Sequence, residues 1–259
     1  MKDISDRLYI STIADDCDEL ALKYGTGLEI CEFCTAMNMD PPHFELWNGV
    51  VQERLLKAKR FIFHAPFSEI YPSAIDPRAV ELAYDRLIQA SELAMKYNVK
   101  RMVVHGGHLP NVYFPEWFHE RSVLFWRRIL LKLPDDFNIV IENVLEDRPE
   151  RLMNVFLEVN DPRLGLCLDV GHTSASTEIP VEDWISCLGS NISHVHIHNN
   201  YGHEDRHLPL GEGNIDMDYV LTKILEISPN ASFTIENRHA TSSLEWLEEH
   251  GYIGDNRNE

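Results

Sequence analysis

Residues 192–213 read Ile-Ser-His-Val-His-Ile-His-Asn-Asn-Tyr-Gly-His-Glu-Asp-Arg-His-Leu-Pro-Leu-Gly-Glu-Gly. The first part alternates strictly, so Val195 and Ile197 face one side of a predicted strand while the histidines between and around them face the other. Histidines rarely line a strand for packing alone, because each buried imidazole needs partners for both nitrogens. Asp205 and His207 follow the strand, and together these groups are the kind of ligands that hold zinc, manganese or iron. For this stretch alone, a polar strand end followed by a solvated loop is the alternative.

Seven other segments also have the composition of β-strands, and stretches with helical periodicity separate them. The predicted strands cover residues 8–13, 27–33, 60–67, 100–106, 138–144, 164–170, 192–199 and 232–238. The predicted helices cover 15–24, 45–58, a segment starting at Asp76-Pro77, 116–132, 149–159, 181–188, 216–227, and a last helix that begins with a capping box at Ser242 and ends at Gly251. This alternation predicts a single (β/α)8 TIM barrel over residues 1–259. An open doubly wound sheet is the alternative, but no Gly-rich phosphate loop follows the first strand.

Six consecutive predicted strands, the third to the eighth, end with a residue that can ligate a metal. In the fifth strand, for example, Ile139 and Ile141 oppose Val140 and Glu142. In a barrel the apolar face packs on the helices, so the opposite face points to the axis and the C-terminal mouth, where barrel enzymes carry out their chemistry. Clustered carboxylates repel each other without a cation. The pattern therefore predicts a metal site at the mouth, formed by His64, His105, Glu142, Asp169, His196 and Glu236.

Loop residues add three further candidate ligands, His172, Asp205 and His207. Nine ligands exceed the about four to six positions that one transition metal offers, so they suit two or three ions bridged by carboxylates. His194 lies deeper in its strand and is expected to be a core histidine that donates to a neighbouring strand. Residues that flank the ligands are weaker candidates for orienting them or contacting substrate. They are His108, His198, Asn199 and Arg238.

The composition is that of a globular protein, with 44% hydrophobic residues and no apolar run near the ~20 residues of a membrane span. The first residues lack the apolar core of a signal peptide. The formal charge of −19 repels nucleic acid and anionic membranes, although a local metal cluster can override that repulsion. We therefore expect no membrane association, and nucleic acid is disfavoured without being excluded.

The five cysteines form an odd, irregular set, which indicates reduced thiols and a cytoplasmic location. Cys31 and Cys34 have CxxC spacing, but they fall in the second predicted strand, where positions three apart face opposite sides. We therefore expect two buried thiols rather than a zinc or redox pair. Glu29 and Glu32 are interpreted as ordinary strand-end polarity, with a substrate contact as the alternative.

The strand-end motifs, taken in chain order, resemble those of the xylose isomerase-like TIM-barrel superfamily, which includes endonuclease IV and the sugar isomerases and epimerases. The motifs are His64-Ala-Pro, Val104-His105, Ile141-Glu142-Asn143, Asp169-x-x-His172, His196-x-x-Asn199, Asp205-Arg-His207 and Ile235-Glu236. The resemblance covers nearly the whole chain and implies three ligand sets. The sets are His64, His105 and Glu142; Glu142, Asp169, His196 and Glu236; and His172, Asp205 and His207.

Three loops depart from the endonuclease IV pattern. After His64-Ala-Pro the chain reads Phe67-Ser-Glu-Ile-Tyr-Pro-Ser, where that family has an aromatic-aliphatic segment that probes DNA. His105-Gly-Gly-His108 replaces His-Pro-Gly, and Val144-Leu-Glu-Asp-Arg-Pro replaces a small Gly-rich turn. Asp-Val-Gly-His and His-Leu-Pro-Leu-Gly-Glu-Gly are more similar to the sugar isomerases and epimerases. The metal-site residues are thus present without recognisable DNA-reading loops.

The sequence therefore predicts a divalent-metal-dependent isomerase or epimerase that acts on a sugar or sugar phosphate. As in tagatose-epimerase-like relatives, Glu142 and Glu236 would be the catalytic acid–base pair and the metal would stabilise an enediolate. The alternative is an endonuclease IV-like trinuclear zinc phosphodiesterase acting on abasic DNA or another phosphoester. A non-catalytic metal-dependent binding barrel is a third class, disfavoured because both glutamates are present. Zinc is the expected ion, with two or three per chain, or manganese or cobalt if a single metal serves an isomerase.

Overall fold

The strands close into a barrel. A computed structural model describes residues 2–254, so both ends of the domain predicted over residues 1–259 lie outside the described residues. Eight parallel strands pair in chain order, and Leu8 of the first lies opposite Phe233 of the last. The strands are β1 (Leu8–Ser11), β2 (Gly27–Ile30), β3 (Phe61–His64), β4 (Arg101–His105), β5 (Asn138–Glu142), β6 (Leu164–Asp169), β7 (Ile192–Ile197) and β8 (Ser232–Ile235). The predicted (β/α)8 barrel is confirmed, and the open-sheet alternative is wrong because β1 and β8 pair.

Helices connect the strands. Within residues 2–254 they are α1 (Cys17–Tyr24), α2 (Phe44–Arg54), α3 (Pro77–Lys96), α4 (Pro115–Leu130), α5 (Glu150–Val159), α6 (Val170–Ser176), α7 (Val181–Leu188), α8 (Met217–Ile227) and α9 (Thr241–Glu249). Every predicted helix is present, α7 with the predicted bounds and the others with shifted ends. The helix α6 was not predicted because its small polar residues lack helical periodicity. In this described part of the chain, no helix has the length and apolar character that crossing a membrane requires.

The helix starts show which local signals were sufficient. Asp76 caps α3 as predicted, since its side chain accepts from the backbone N–H of Arg78 at 2.8 Å. The predicted capping box at Ser242 is wrong, because α9 starts at Thr241 without a side-chain cap from its own N-cap residue. The cap comes from Asp16, which is far away in the sequence. Its side chain accepts from the backbone N–H groups of Ala240 and Thr241 at 2.9 and 3.1 Å. Only tertiary structure could show that cap.

The two faces of the strands pack as the alternation predicts. Ile139 and Ile141 of β5 belong to the main core between the barrel and its helices. The opposite face builds a separate, smaller apolar cluster inside the barrel. This inner cluster consists of Ile62, Val103, Val140 and Cys167. The outer core stabilises the barrel, while the inner face leads upward to the metal-capable residues.

Candidate metal centre at the barrel mouth

Glu142 lies at the centre of the first group of predicted ligands. Its Oε2 atom is 3.3 Å from His64 Nε2 and 3.4 Å from His105 Nε2. Glu142 and His64 are buried, and the ring of Phe67 stacks on His105 with centroids 4.6 Å apart. Because β3, β4 and β5 are neighbouring strands, the fold brings these three side chains together. Their donor atoms are close enough to share one ion.

His196 lies at the centre of the second group. Its Nδ1 atom faces Glu142 Oε1 at 3.4 Å, Glu236 Oε1 at 3.5 Å and Asp169 Oδ2 at 3.7 Å. This buried nitrogen has no hydrogen-bond partner among the described residues. One imidazole nitrogen and three carboxylates are ligands that a divalent transition metal accepts. The residues present therefore fit the metal that the sequence predicts at this position.

Glu29 orients His196 from inside the barrel, and the sequence analysis missed it. Its Oε1 atom accepts from His196 Nε2 at 3.0 Å and its Oε2 atom accepts from His194 Nε2 at 3.1 Å and from Thr234 Oγ1 at 2.5 Å. A carboxylate that holds the far nitrogen of an imidazole fixes its tautomer and turns the other nitrogen toward the metal. Interpreting Glu29 as strand-end polarity was wrong, because it is fully buried in β2. The sequence did contain a signal for this position. Glu29 alternates with the apolar residues Leu28 and Ile30, so its side chain points to the inside of the barrel.

The buried charges shift the pKa values of the group. Burial alone would lower the pKa of His196, but the carboxylates around it outweigh burial and raise the pKa well above its usual value; they are Glu236, Glu29 and Glu142. Burial raises the pKa of Glu142, yet the charge of His196 and other imidazoles holds that pKa well below its usual range. Burial also raises the pKa of Glu236, with the charge of Glu142 adding to the effect and His196 opposing it. The cluster as a whole thus favours positive charge at its centre.

The three loop candidates also meet at the mouth. Asp205 Oδ2 lies 3.2 Å from His172 Nε2 and 2.9 Å from His207 Nε2. His172 stands in α6, and its position depends on Asp169, whose Oδ1 atom accepts from the His172 backbone N–H at 2.6 Å and so caps the helix. His207 adopts a positive φ of 49° in the loop after β7. The short helix and this loop therefore place one carboxylate between two imidazoles, as the third predicted ligand set requires.

The weaker candidates fall in different places. His108 lines the cavity, and its Nδ1 lies 3.1 Å from the carbonyl of Leu145. His198 is buried, with Nε2 3.1 Å from Asp169 Oδ1 and its ring stacked on His207 at 4.0 Å. Its position suits a residue that orients Asp169.

Two others lie away from the cavity. The amide of Asn199 donates to the carbonyls of Leu210 and Ile215 at 3.1 and 3.0 Å, which holds the loop after β7. The side chain of Arg238 is 86% exposed and lies 3.7 Å from Asp15. His194, predicted to donate to a neighbouring strand, is fully buried with Nδ1 2.7 Å from Ser232 Oγ of β8.

A cavity of about 480 Å³ opens above these residues. Its floor includes His64, His105, Glu142, His172, Asp205, His207 and Glu236. Its walls are largely apolar and aromatic, with Ile13, Phe67, Ile70, Tyr71, Leu109, Val144 and Leu145. None of the described residues that line it is lysine or arginine. The described lining of the cavity thus offers acids, imidazoles and apolar contacts, with no lysine or arginine for a phosphate.

Cys31 and Cys34 lie on one wall of this cavity. The prediction that they are buried on opposite faces of a strand is wrong, because β2 ends at Ile30 and the next residues form a turn. The backbone N–H of Cys34 donates to the carbonyl of Cys31 at 3.1 Å, and both side chains are half-buried. The turn brings both thiols to the same side.

A closed parallel barrel with imidazoles and carboxylates gathered at its mouth defines a class of metal-capable (β/α)8 proteins. Within that class, the model of the xylose isomerase-like TIM barrel family matches residues 19–252, and the chain belongs to this family. The predicted resemblance is confirmed.

Relatives from both predicted functional classes are similar to the chain. An uncharacterised protein of Methanocaldococcus jannaschii is 31% identical over 207 residues, which are 73% of this chain and 69% of the relative. A probable endonuclease 4 of Mycobacterium tuberculosis is 25% identical over 174 residues, covering 62% of this chain and 67% of the relative. The crystal structure of a D-tagatose 3-epimerase-like protein matches with a TM-score of 0.77 and 26% identity, over 94% of this chain and 96% of that one. The choice of reaction therefore rests on the site.

Proposed function

We propose that the protein is a divalent-metal-dependent isomerase or epimerase that acts on an unphosphorylated sugar. The observation that carries this proposal is the lining of the cavity, where described residues provide three carboxylates and four imidazoles at the floor and no lysine or arginine. A phosphorylated sugar or a DNA backbone would bring negative charge against these acids without a lysine or arginine to receive it. A neutral sugar avoids that repulsion, and its hydroxyls can bond to carboxylates and imidazoles.

In this proposal, the position of each residue determines whether it holds the ion or transfers a proton. Glu142, Asp169, His196 and Glu236 would hold an ion. When bound, such an ion supplies Lewis acidity to a carbonyl oxygen and the neighbouring hydroxyl oxygen of the sugar. Glu142 comes from β5 and Glu236 follows β8, and their Oε1 atoms both face His196 Nδ1. In our proposal one carboxylate takes the proton from the carbon beside the carbonyl, and the other returns a proton to a carbon of the same substrate.

The surrounding residues bind and shield the substrate. His172 Nε2 and Asp205 lie on the floor of the same cavity, where they can contact sugar hydroxyls. Phe67 and Tyr71 offer faces on which a sugar ring can stack, and their bulk excludes water from the reacting carbon. The walls would therefore select a compact ring or chain without a charged group.

One arrangement favours the second candidate, an endonuclease IV-like phosphodiesterase. Asp205 lies between His172 and His207, which suits an additional ion. Three divalent ions against four carboxylates would leave a net charge of about +2, which attracts a phosphate, whereas one ion leaves about −2. The number of zinc, manganese or cobalt ions per chain therefore discriminates between the two reactions.

Metal content and a paired substrate panel test the proposal together. The protein is loaded with zinc, manganese or cobalt, the ions per chain are counted by elemental analysis, and ketoses are offered in deuterated water beside their phosphate esters. We expect deuterium at the carbon next to the carbonyl of a free ketose and much less exchange for its phosphate ester. Cleavage of abasic-site DNA by a three-zinc form, without exchange in any ketose, would overturn the proposal.

A further inference from the structure

Outside the predicted ligand sets, the cavity contains a second reactive group, the dithiol of Cys31 and Cys34. Both residues line the cavity beside His64. Ser11 Oγ lies 3.1 Å from Cys31 Sγ. The turn between the two residues places both thiols on the same wall of the cavity.

The backbone geometry suits a disulfide. A four-residue turn closed by the bond from the Cys34 N–H to the Cys31 carbonyl keeps its end Cα atoms within about 7 Å. Disulfides join residues whose Cα atoms are about 4.4 to 6.8 Å apart, so little backbone movement is needed.

Access separates this pair from the other cysteines. Cys17 and Cys167 are buried in the protein, and Cys187 lies on α7, remote in the sequence and outside the cavity lining. Cys31 and Cys34 are half-buried and line a cavity that admits small molecules. A small oxidant that enters the cavity therefore meets these two thiols together.

We propose that Cys31 and Cys34 form a reversible intramolecular disulfide when a hydroperoxide enters the cavity. One sulfur attacks a peroxide oxygen, the O–O bond breaks, and a sulfenic acid and one water (or alcohol) result. The second thiol attacks the sulfenic sulfur, the S–O bond breaks and a second water leaves as the S–S bond forms. Two thiols lose two electrons and two protons, and the peroxide is reduced by the same two electrons. A small dithiol reverses the reaction by thiol–disulfide exchange.

Oxidation would also change the wall of the metal centre. Cys31, Cys34 and His64 line the same cavity, so a disulfide would replace two thiols beside the imidazole at the end of β3. The modification therefore links the redox state of the cavity to the first group of predicted ligands.

Thiol counting and peptide mapping on the metal-loaded full-length protein test the proposal without any activity assay. After treatment with a small excess of hydrogen peroxide, titratable thiols in denaturant should fall from five to three, since the chain has five cysteines. The intact mass should fall by about 2 Da, the loss of two hydrogens. Mapping should find the link within one peptide, and dithiothreitol should restore all five thiols.

Two serine variants make the test specific. Cys34→Ser should abolish the loss of about 2 Da, whereas the matched control Cys187→Ser should still lose two thiols. An unchanged thiol count, separate oxidation of the two sulfurs to sulfinic acids, or a link that uses Cys187 would each overturn the proposal. The mapping on the unmodified sequence decides the question even if a variant does not fold.

Discussion

The two halves of the barrel interior differ in chemistry although the same strand alternation builds both. Strands β3 to β6 contribute Ile62, Val103, Val140 and Cys167, which pack as an apolar cluster. Strands β2, β7 and β8 contribute buried polar groups that bond to one another, namely Glu29, His194, His196 and Thr234. Apolar contacts thus stabilise the side chains of the first half, and hydrogen bonds stabilise the side chains of the second half.

The difference shows how one fold supports both stability and a reactive site. An apolar layer holds its strands in register without constraining the groups above it. The polar layer instead reaches the site, because Glu29 bonds directly to His196. Substitutions in the polar half should therefore change metal binding and turnover, whereas substitutions in the apolar half should change stability.

The largest effect is expected at the mouth above the polar half. Glu236→Gln removes a carboxylate that can accept a proton while keeping the size of the side chain, and turnover should fall by about 10²- to 10⁴-fold. Glu212→Gln, an exposed position in the loop after β7, is the matched control and should keep full turnover. Steady-state kinetics on the best ketose gives the comparison. Full activity of Glu236→Gln would show that the reactive site lies elsewhere.

The interior contrast also shows what the sequence could and could not reveal. Strand alternation was sufficient for Glu142 and His196, because a strand-end residue in a barrel has only one inward direction. The same rule applied to Glu29, but a single acid in a short strand can also be ordinary strand-end polarity. Its partners His194 and His196 are more than 160 residues away in the chain, so the sequence did not show them as its neighbours. Cys31 and Cys34 were misplaced because the end of β2 depends on where its neighbours stop pairing.

Two buried carboxyls extend the contrast between the halves. Burial raises the pKa of Glu29, but the charge of His196 and hydrogen bonds from both histidines outweigh burial and leave that pKa well below the usual value. Glu146, in the loop after β5, has no such partner at Oε1. Burial raises the pKa of Glu146 to about 7, although the backbone N–H of Val144 donates to its Oε2 at 2.7 Å. The fold therefore stabilises the ionised form of Glu29 and the protonated form of Glu146.

The second largest effect should be a pH-dependent gain of stability in Glu146→Gln. The pKa of Glu146 in the folded protein lies above the unfolded value of about 4.5. The proton on Glu146 therefore contributes stability that is fully present below about pH 4.5 and is lost as the pH rises through about 7. Glutamine is neutral throughout, so the variant should exceed the original chain in unfolding free energy at pH 8 by on the order of 3 kcal/mol. The difference should be small near pH 4.5.

Denaturant unfolding across that pH range measures this difference. The matched control is Glu150→Gln, which changes an exposed carboxyl at the start of α5 and should give no pH-dependent difference. A Glu146→Gln variant whose relative stability does not rise between pH 5 and pH 8 would show that the carboxyl is already ionised in the folded protein.

The smallest effect is expected for Glu29→Gln, and it tests the contrast most directly. A glutamine can accept from only one of the two imidazoles that now donate to Glu29, so His196 loses its fixed orientation and metal affinity should fall by about 10- to 100-fold. Competition with a chromophoric chelator measures that affinity. Val103→Ala is the matched change in the apolar half; it should lower the unfolding free energy by about 1–3 kcal/mol and leave the affinity unchanged. If both variants lose only stability, or both lose metal affinity, the two halves do not have separate roles and Glu29 does not position His196.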